Sequence, residues 1–359
     1  MNFQNIPPVR KVEEILDTAI RKGKAEAGTI RKASFIEDSL KYAKTVEIQR
    51  ISAVQKYLET VLENIIHSFP SVYQLPVFYQ ELIGCKAGIG ELKQSLGAVQ
   101  WAQTQARTLS KRTIGKIKRS RVIKEIFRDK KEYYGRVSSV LKQVSIAVQF
   151  LEEARREMKR FPDIDTGLFS VALAGFPNVG KSTLLNALTS SEVEVASYPF
   201  TTTRILVGNI TEDYHSIQVL DTPGTLNRFE KMNDVEQQAY LAIKHVAHLI
   251  VYIFDLTEGY ALEDQKKLYR QIQKHNKPVV VYLSKTDLTD QMDSSLAAAF
   301  AQEMHGFTDV RLLKQEIMVQ YFLWLKGHTT AKASEKPPSH VQVSPAHVPS
   351  QVLKEDKKQ

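Results

Sequence analysis

The chain has 359 residues, enough for two domains, and its 43% hydrophobic content can fill real cores. Its single cysteine, Cys85, excludes an internal disulfide framework and a cysteine-based zinc site, and fits a reducing compartment. The net charge of +9 is lopsided. Residues 1–165 hold 30 Lys and Arg against 19 Asp and Glu, a net of +11, while residues 166–359 hold 19 against 21, a net of −2. A basic module joined to a near-neutral one is expected, and nucleic acid or another anionic surface is the usual partner of such a module.

Residues 1–10 carry no apolar leader, and the apolar runs 249–254 and 279–283 are too short to span a membrane, so a cytoplasmic protein is expected. Apolar residues recur at helical spacing in 12–20, 46–66 and 137–158, with Pro and Gly clustered at 70–76 and 84–90. These features predict an all-α bundle over residues 1–160. Within it, residues 111–131 carry Lys111, Arg112, Lys116, Lys118, Arg119, Arg121, Lys124, Arg128, Lys130 and Lys131 against only Glu125 and Asp129. Ile114, Ile117, Val122, Ile126 and Phe127 lie between the charges. Such a basic amphipathic segment suits RNA phosphates; a solvated helix face is the plainer alternative. Residues 161–167, with Pro162 and Gly167, read as a linker.

A second domain is expected over 168–326. Residues 168–174 form an apolar, strand-like run that leads into Gly175-Phe176-Pro177-Asn178-Val179-Gly180-Lys181-Ser182, a G-x-x-x-x-G-K-S loop, and then a helix start. Glycines let the backbone approach phosphate, and the loop N–H groups and helix N-terminus hold the anion. Lys181 can reach the β- and γ-phosphates, and the Ser182 hydroxyl can hold Mg²⁺. A hydroxyl-rich stretch follows at 197–203. Residues 204–210 and 216–220 read as two strands across a polar turn, the second ending in Asp221-Thr222-Pro223-Gly224. There Asp221 can order the Mg²⁺ shell and the Gly224 N–H can meet the γ-phosphate. Alone, D-x-x-G is no more than a β-turn; forty residues after such a loop it is specific. Helix 234–247, strand 249–254, helix 262–275 and strand 278–283 complete a doubly wound α/β sheet. The last strand delivers Ser284-Lys285-Thr286-Asp287. Asp287 can accept from guanine N1–H and the 2-amino group, a donor pair adenine lacks, while the Lys285 stem packs along the base. His245 and His248 read as a solvated helix surface rather than a metal site. A helix is expected at 309–325 and a disordered tail over 327–359.

G-F-P-N-V-G-K-S, Y-P-F-T-T, D-T-P-G and K-T-D in this order resemble an Obg-related GTPase. More narrowly, N-D-V-E-Q-Q-A at 233–239 and H-V-A-H-L-I-V-Y-I-F-D at 245–255 resemble the nucleolar GTP-binding protein 1 (Nog) family and its short archaeal members. The resemblance implies an α/β P-loop GTPase domain behind the helical bundle, using GTP or GDP with Mg²⁺; a monomer in solution is expected. It implies a partner in rRNA and the precursor of the large ribosomal subunit, with no membrane, and a nucleolar location in a eukaryote. Nucleotide contacts would come from Gly175, Phe176, Pro177, Asn178, Val179, Gly180, Lys181, Ser182, Thr183, Phe200, Thr201, Thr202, Asp221, Gly224, Ser284, Lys285 and Asp287. Ser182 and Thr202 would hold Mg²⁺, and Lys181, Thr202 and Asn178 would act in hydrolysis, Asn178 by holding K⁺. The chain departs from the pattern in three places. Ser284 stands where Asn is usual, Thr225 follows Gly224 where many GTPases have Gln, and no S-A-K element follows Asp287. Two other readings are an RNA-binding structural factor with a slow or inert nucleotide site and a membrane-surface GTPase.

Overall fold

In the computed structural model, the described residues are 3–33, 38–189, 205–212, 214–222, 234–257, 260–286 and 294–334. Six helices come first: α1 (Val12–Ala33), α2 (Ser39–Ser68), α3 (Val77–Lys86), α4 (Ile89–Arg119), α5 (Ile123–Gln143) and α6 (Ser145–Met158). They pack because their apolar residues repeat every three or four positions. α2 buries Val46, Ile51, Val54, Leu58, Leu62 and Ile65; α5 buries Ile126, Tyr133, Val137 and Leu141. Asp38 caps α2, its carboxylate accepting from the Leu40 and Lys41 N–H groups at 2.8 and 3.2 Å. Ser110 Oγ on α4 lies 2.9 Å from both Gln55 Oε1 on α2 and Tyr133 Oη on α5, so one buried polar node joins three helices.

The expected bundle differs in detail. The stretch 137–158 is two helices, broken at Val144, whose φ of −101° and ψ of 11° leave helical geometry. Residues 84–86, read as a loop, close α3. The basic stretch 111–131 is not one helix face. It turns a corner where α4 ends at Arg119 and α5 begins at Ile123.

The second half is a five-stranded sheet of order β2-β3-β1-β4-β5, made of β1 (Ser170–Ala174), β2 (Leu206–Glu212), β3 (His215–Asp221), β4 (Leu249–Asp255) and β5 (Val279–Ser284). β1 runs parallel to β3 and β4, and β4 to β5; β2 joins β3 as an antiparallel edge. Every residue of β1 and β4 is buried, as a strand covered on both faces requires. Around the sheet lie α7 (Lys181–Leu188), α8 (Asp234–His245), α9 (Leu262–Gln273), α10 (Ser294–Glu303) and α11 (Val310–Ser334). Beyond β5 the sheet continues by a single parallel bridge, Tyr282 to Phe307, with Leu283 N donating to Phe307 O at 2.8 Å. α11 runs on past Gly327, where the tail was expected to begin. Residues 335–359 lie outside the described residues.

Residues 161–167 do not form a loose tether. Phe161 and Ile164 are buried. The buried Tyr79 hydroxyl accepts from the Ile164 N–H at 2.9 Å and lies 3.0 Å from the Pro162 and Ile164 carbonyl oxygens. Burial raises the Tyr79 hydroxyl pKa to about 12, so it remains a neutral hydrogen-bonding group. One apolar cluster joins the bundle to the sheet domain, since it includes Leu220, Leu241, Ala242 and Val246 together with the bundle core. His245 and His248 are not solvated as expected. His245 Nε2 lies 2.9 Å from Glu81 Oε2 on α3, and His248 Nδ1 accepts from the Ser170 N–H at 3.1 Å. Tyr79→Phe should cost about 1–3 kcal/mol in urea unfolding, because it strands the buried Ile164 N–H. Unchanged stability would mean that water replaces the hydroxyl.

Candidate functional site

The site forms where β1 ends. Gly175 has φ +153°, and a Cβ placed there would sit 2.7 Å from the Ile253 carbonyl oxygen of β4. Only glycine lets the chain pass this backbone. Asn178 at φ +61° and Gly180 at φ +93° complete the turn, Asn being one of the few side chains that tolerate the left-handed region. Gly180 is the N-cap of α7 and supplies no side-chain cap. No side chain caps the first-turn N–H groups of α7, which suits them to an anion.

Three polar side chains converge beneath this loop. Lys181 Nζ donates to the Gly175 and Phe176 carbonyls at 3.2 and 2.7 Å and is only 7% exposed. Burial lowers its pKa from 10.5 to about 8, against the opposite pull of Asp221. The Ser182 hydroxyl donates to Asp221 Oδ2 at 2.5 Å. Asp221 Oδ1 is buried without a hydrogen-bond partner among the described residues. Burial raises the Asp221 pKa, while Ser182 and Lys181 pull it down. An orphaned carboxylate oxygen beside a hydroxyl suits a hard, oxygen-seeking cation such as Mg²⁺. Thr222 Oγ1 ties this corner to Leu173 O at 2.6 Å. Of the other loop residues, Phe176 packs on Tyr260 with ring centroids 4.7 Å apart, Val179 is buried, Pro177 is half-buried, and Asn178 and Thr183 are exposed.

The end of β5 meets the same loop: Ser284 Cβ lies 3.6 Å from where a Gly180 Cβ would be. Ser284 Oγ donates to Phe254 O at 3.1 Å. Lys285, at φ +56°, is not free along its length, because its Nζ is 2.6 Å from Asp255 Oδ2. Asp255 closes the 245–255 run and was given no role in the sequence, yet it organises this edge. Its Oδ1 accepts from the Thr257 N–H and hydroxyl at 3.0 and 2.6 Å, and the Gln265 amide brackets its backbone at 3.0 and 2.7 Å. The available signal was an acidic residue closing a continuous apolar strand, at the position paired with Ser284. Phe200, Thr201, Thr202, Gly224, Thr225 and Asp287 lie outside the described residues.

A second candidate surface is the α4–α5 corner. Lys118, Arg121, Lys124 and Lys131 are exposed there and make no ion pair among the described residues. Lys116 pairs with Glu132 at 3.3 Å, and Lys130 reaches the buried Glu47 at 3.2 Å. Among the described residues no helix is long and apolar enough to cross a membrane, and no cluster of His, Cys, Asp and Glu could hold a metal ion by itself.

A glycine-turned loop between a buried parallel strand and a helix, with lysine, serine and aspartate beneath it, defines a P-loop nucleotide-binding domain, here preceded by a helical module. Residues 3–165 match the family model of the NOG1 N-terminal helical domain, and residues 170–285 that of the 50S ribosome-binding GTPases. An uncharacterized archaeal protein from Methanocaldococcus jannaschii is 38% identical over 293 residues, which cover 80% of this chain and 82% of the relative. Nucleolar GTP-binding protein 1 of Candida glabrata is 29% identical over 293 residues, 80% of this chain and 45% of that protein. Among solved structures, the FeoB G domain from Methanococcus jannaschii aligns at a TM-score of 0.33 and 24% identity, over 43% of this chain and 97% of that one. The chain belongs to the nucleolar GTP-binding protein 1 family. It spans a little under half the length of the relatives that carry that name.

Burial of the Lys181 charge costs on the order of 3 kcal/mol, from the fall of its pKa from 10.5 to about 8. The folded pKa lies below the unfolded one, so Lys181 penalises stability fully below pH about 8 and ceases to do so as pH rises towards 10.5. Lys181→Met should stabilise the nucleotide-free protein at pH 7 by about 1–3 kcal/mol and remove that rise. Denaturant titrations at several pH values check this; a destabilised variant would mean that the ammonium's hydrogen bonds outweigh its burial.

Proposed function

We propose that the chain is a GTP-binding and GTP-hydrolysing factor of large-ribosomal-subunit assembly that docks on rRNA through its helical module. The observation that carries the nucleotide half is the convergence of buried Lys181, Ser182 and the half-orphaned Asp221 beneath a loop of left-handed turns. The RNA half is supported by the unpaired cations of the α4–α5 corner and by the match to the NOG1 helical domain.

In this reading the loop N–H groups of residues 175–182 hold the β- and γ-phosphates. Lys181 exchanges the carbonyls of Gly175 and Phe176 for phosphate oxygens and becomes a full cation as their charge raises its pKa. Ser182 and Thr202 would hold Mg²⁺, with Asp221 ordering its shell, and the ion would supply positive charge beside the phosphates. Phe176, Thr183, Phe200 and Thr201 line the nucleotide, the Gly224 N–H meets the γ-phosphate, and Asp287 reads guanine. Asp255 holds the Lys285 ammonium, so that the lysine stem lies across the base plane. Water attack on the γ-phosphorus then yields GDP and phosphate. With Thr225 in the place of a water-orienting Gln, hydrolysis by the isolated chain is slow.

Asn178, exposed at the loop apex with φ +61°, is the residue for K⁺ in this scheme. Turnover should be faster in KCl than in NaCl at equal ionic strength, and Asn178→Ala should erase the difference. Equal rates in both salts remove the ion from the mechanism.

The two halves separate by mutation. Reversing Lys118, Arg121 and Lys124 to Glu should weaken binding to an rRNA fragment. It should also flatten the log–log salt dependence by about 0.7–0.9 for each phosphate the variant no longer neutralises, with GTP affinity unchanged. Lys181→Ala should abolish nucleotide binding and spare bare RNA affinity. Fluorescence anisotropy with each ligand decides. A folded charge-reversed variant that binds RNA like wild type would place the RNA surface elsewhere.

A further inference from the structure

The α4–α5 corner holds more than charge. Phe127 stands 44% exposed and Val122 55% exposed in the most basic stretch of the chain. A single exposed apolar residue is ordinary. Phe127 differs because of what surrounds its ring. On the surface of α5, Lys124 lies three residues before it, and Lys130 and Lys131 three and four residues after it. The Lys130 ammonium sits over the ring, 4.5 Å from its centroid, and is kept there by the buried carboxylate of Glu47 at 3.2 Å. Arg50 also approaches Glu47, at 3.3 Å, so this carboxylate is fixed from two sides. The ring is therefore partnered by a cation and still keeps 44% of its surface exposed.

The corner's own acids do not neutralise it. Asp129 is buried and spends its charge on Arg128 at 3.4 Å, and Glu125 accepts from the Arg121 N–H at 3.3 Å. Lys118, Arg121, Lys124 and Lys131 remain for outside anions.

We infer that this corner binds an unpaired RNA base, stacked on the exposed part of the Phe127 ring, while the surrounding cations take the flanking phosphates. The inference rests on the proposed RNA docking and narrows it to single-stranded or bulged RNA. Bases in a duplex are already stacked on each other, and a lone ring cannot reach them. Stacking on an aromatic ring needs only a π-face and is indifferent to base identity. A membrane surface also favours lysines with an exposed Phe and Val. Insertion of this ring, however, would drag the Lys130 ammonium, held 4.5 Å above it, into the apolar layer.

The test uses the full chain with a fluorescent single-stranded RNA and a duplex of the same sequence over a range of KCl concentrations. A 2-aminopurine in the strand reports stacking. Phe127→Ala should lower single-strand affinity on the order of 10- to 100-fold. The salt slope should not change, since every phosphate-binding cation is still present, and weak duplex binding should not move. Quenching of 2-aminopurine, strong with wild type, should vanish in Phe127→Ala and persist in Phe127→Trp. The residue is on the surface, so the variant should fold; circular dichroism checks it. A folded Phe127→Ala variant that binds the single strand like wild type, or weakens on strand and duplex equally, overturns the stacking site and leaves the RNA docking standing. If wild type binds neither RNA but binds phosphatidylserine vesicles, the RNA docking itself falls, and the inference with it.

Discussion

The site depends on one close approach. At Gly175 the chain leaves β1 within 2.7 Å, measured from a would-be Cβ, of the β4 backbone, and no side chain fits. This passage is forced by the parallel pairing of β1 with both β3 and β4, which puts the carboxyl ends of three strands at one edge. The register Leu173↔Asp221 sets the aspartate beside the loop, and Asp255↔Ser284 sets the second carboxylate beside the β5 end. A side chain at position 175 would therefore disturb more than a turn. It would separate the loop from the strand that fixes Lys285 through Asp255.

The same edge accounts for the electrostatics. Lys181 and Asp221 are both buried, and burial disfavours the charge on each. Their mutual attraction offsets only part of that cost, and Asp221 Oδ1 is left without a donor among the described residues. Such an arrangement is poor for stability alone and good for a multiply charged ligand carrying a divalent cation. The helical module is fixed to this domain by packing, through Tyr79, the shared apolar cluster and the α3–α8 contact of Glu81 with Lys244 and His245. α8 begins shortly after the D-T-P-G run, so the module sits on the helix nearest that part of the site in sequence.

Much of this was legible in the residues. The G-x-x-x-x-G-K-S loop, the alternation of apolar runs with helical stretches, and the charge asymmetry give the P-loop sheet and the helical module before it. Details set by tertiary contact were not. Val144 breaks a helix whose apolar stripe runs through it unbroken. α3 forms despite Gly84 because Phe78, Tyr79, Leu82 and Ile83 are all buried. Pro162 and Gly167 signal a linker, while the packing of Phe161 on Phe3 and of Ile164 on the Tyr79 hydroxyl depends on partners far away in the chain, beyond any local pattern. The role of Asp255 was hidden for the same reason, since its partner Lys285 lies just past the end of the next strand. The corner at residues 120–122 carries no Gly or Pro, so nothing in the sequence marks a turn inside the basic stretch.

In the proposed function, a guanine nucleotide's phosphates recharge the buried Lys181, which is largely deprotonated at high pH. Titration calorimetry of the full chain with Mg²⁺ and GTP at pH 9, in buffers of differing ionisation heat, tests it most directly. With a ligand-free pKa of about 8, binding should take up close to one proton at pH 9 and almost none at pH 7, and ATP should bind far more weakly than GTP. Heats independent of buffer at pH 9, or ATP binding as tightly as GTP, would contradict the account.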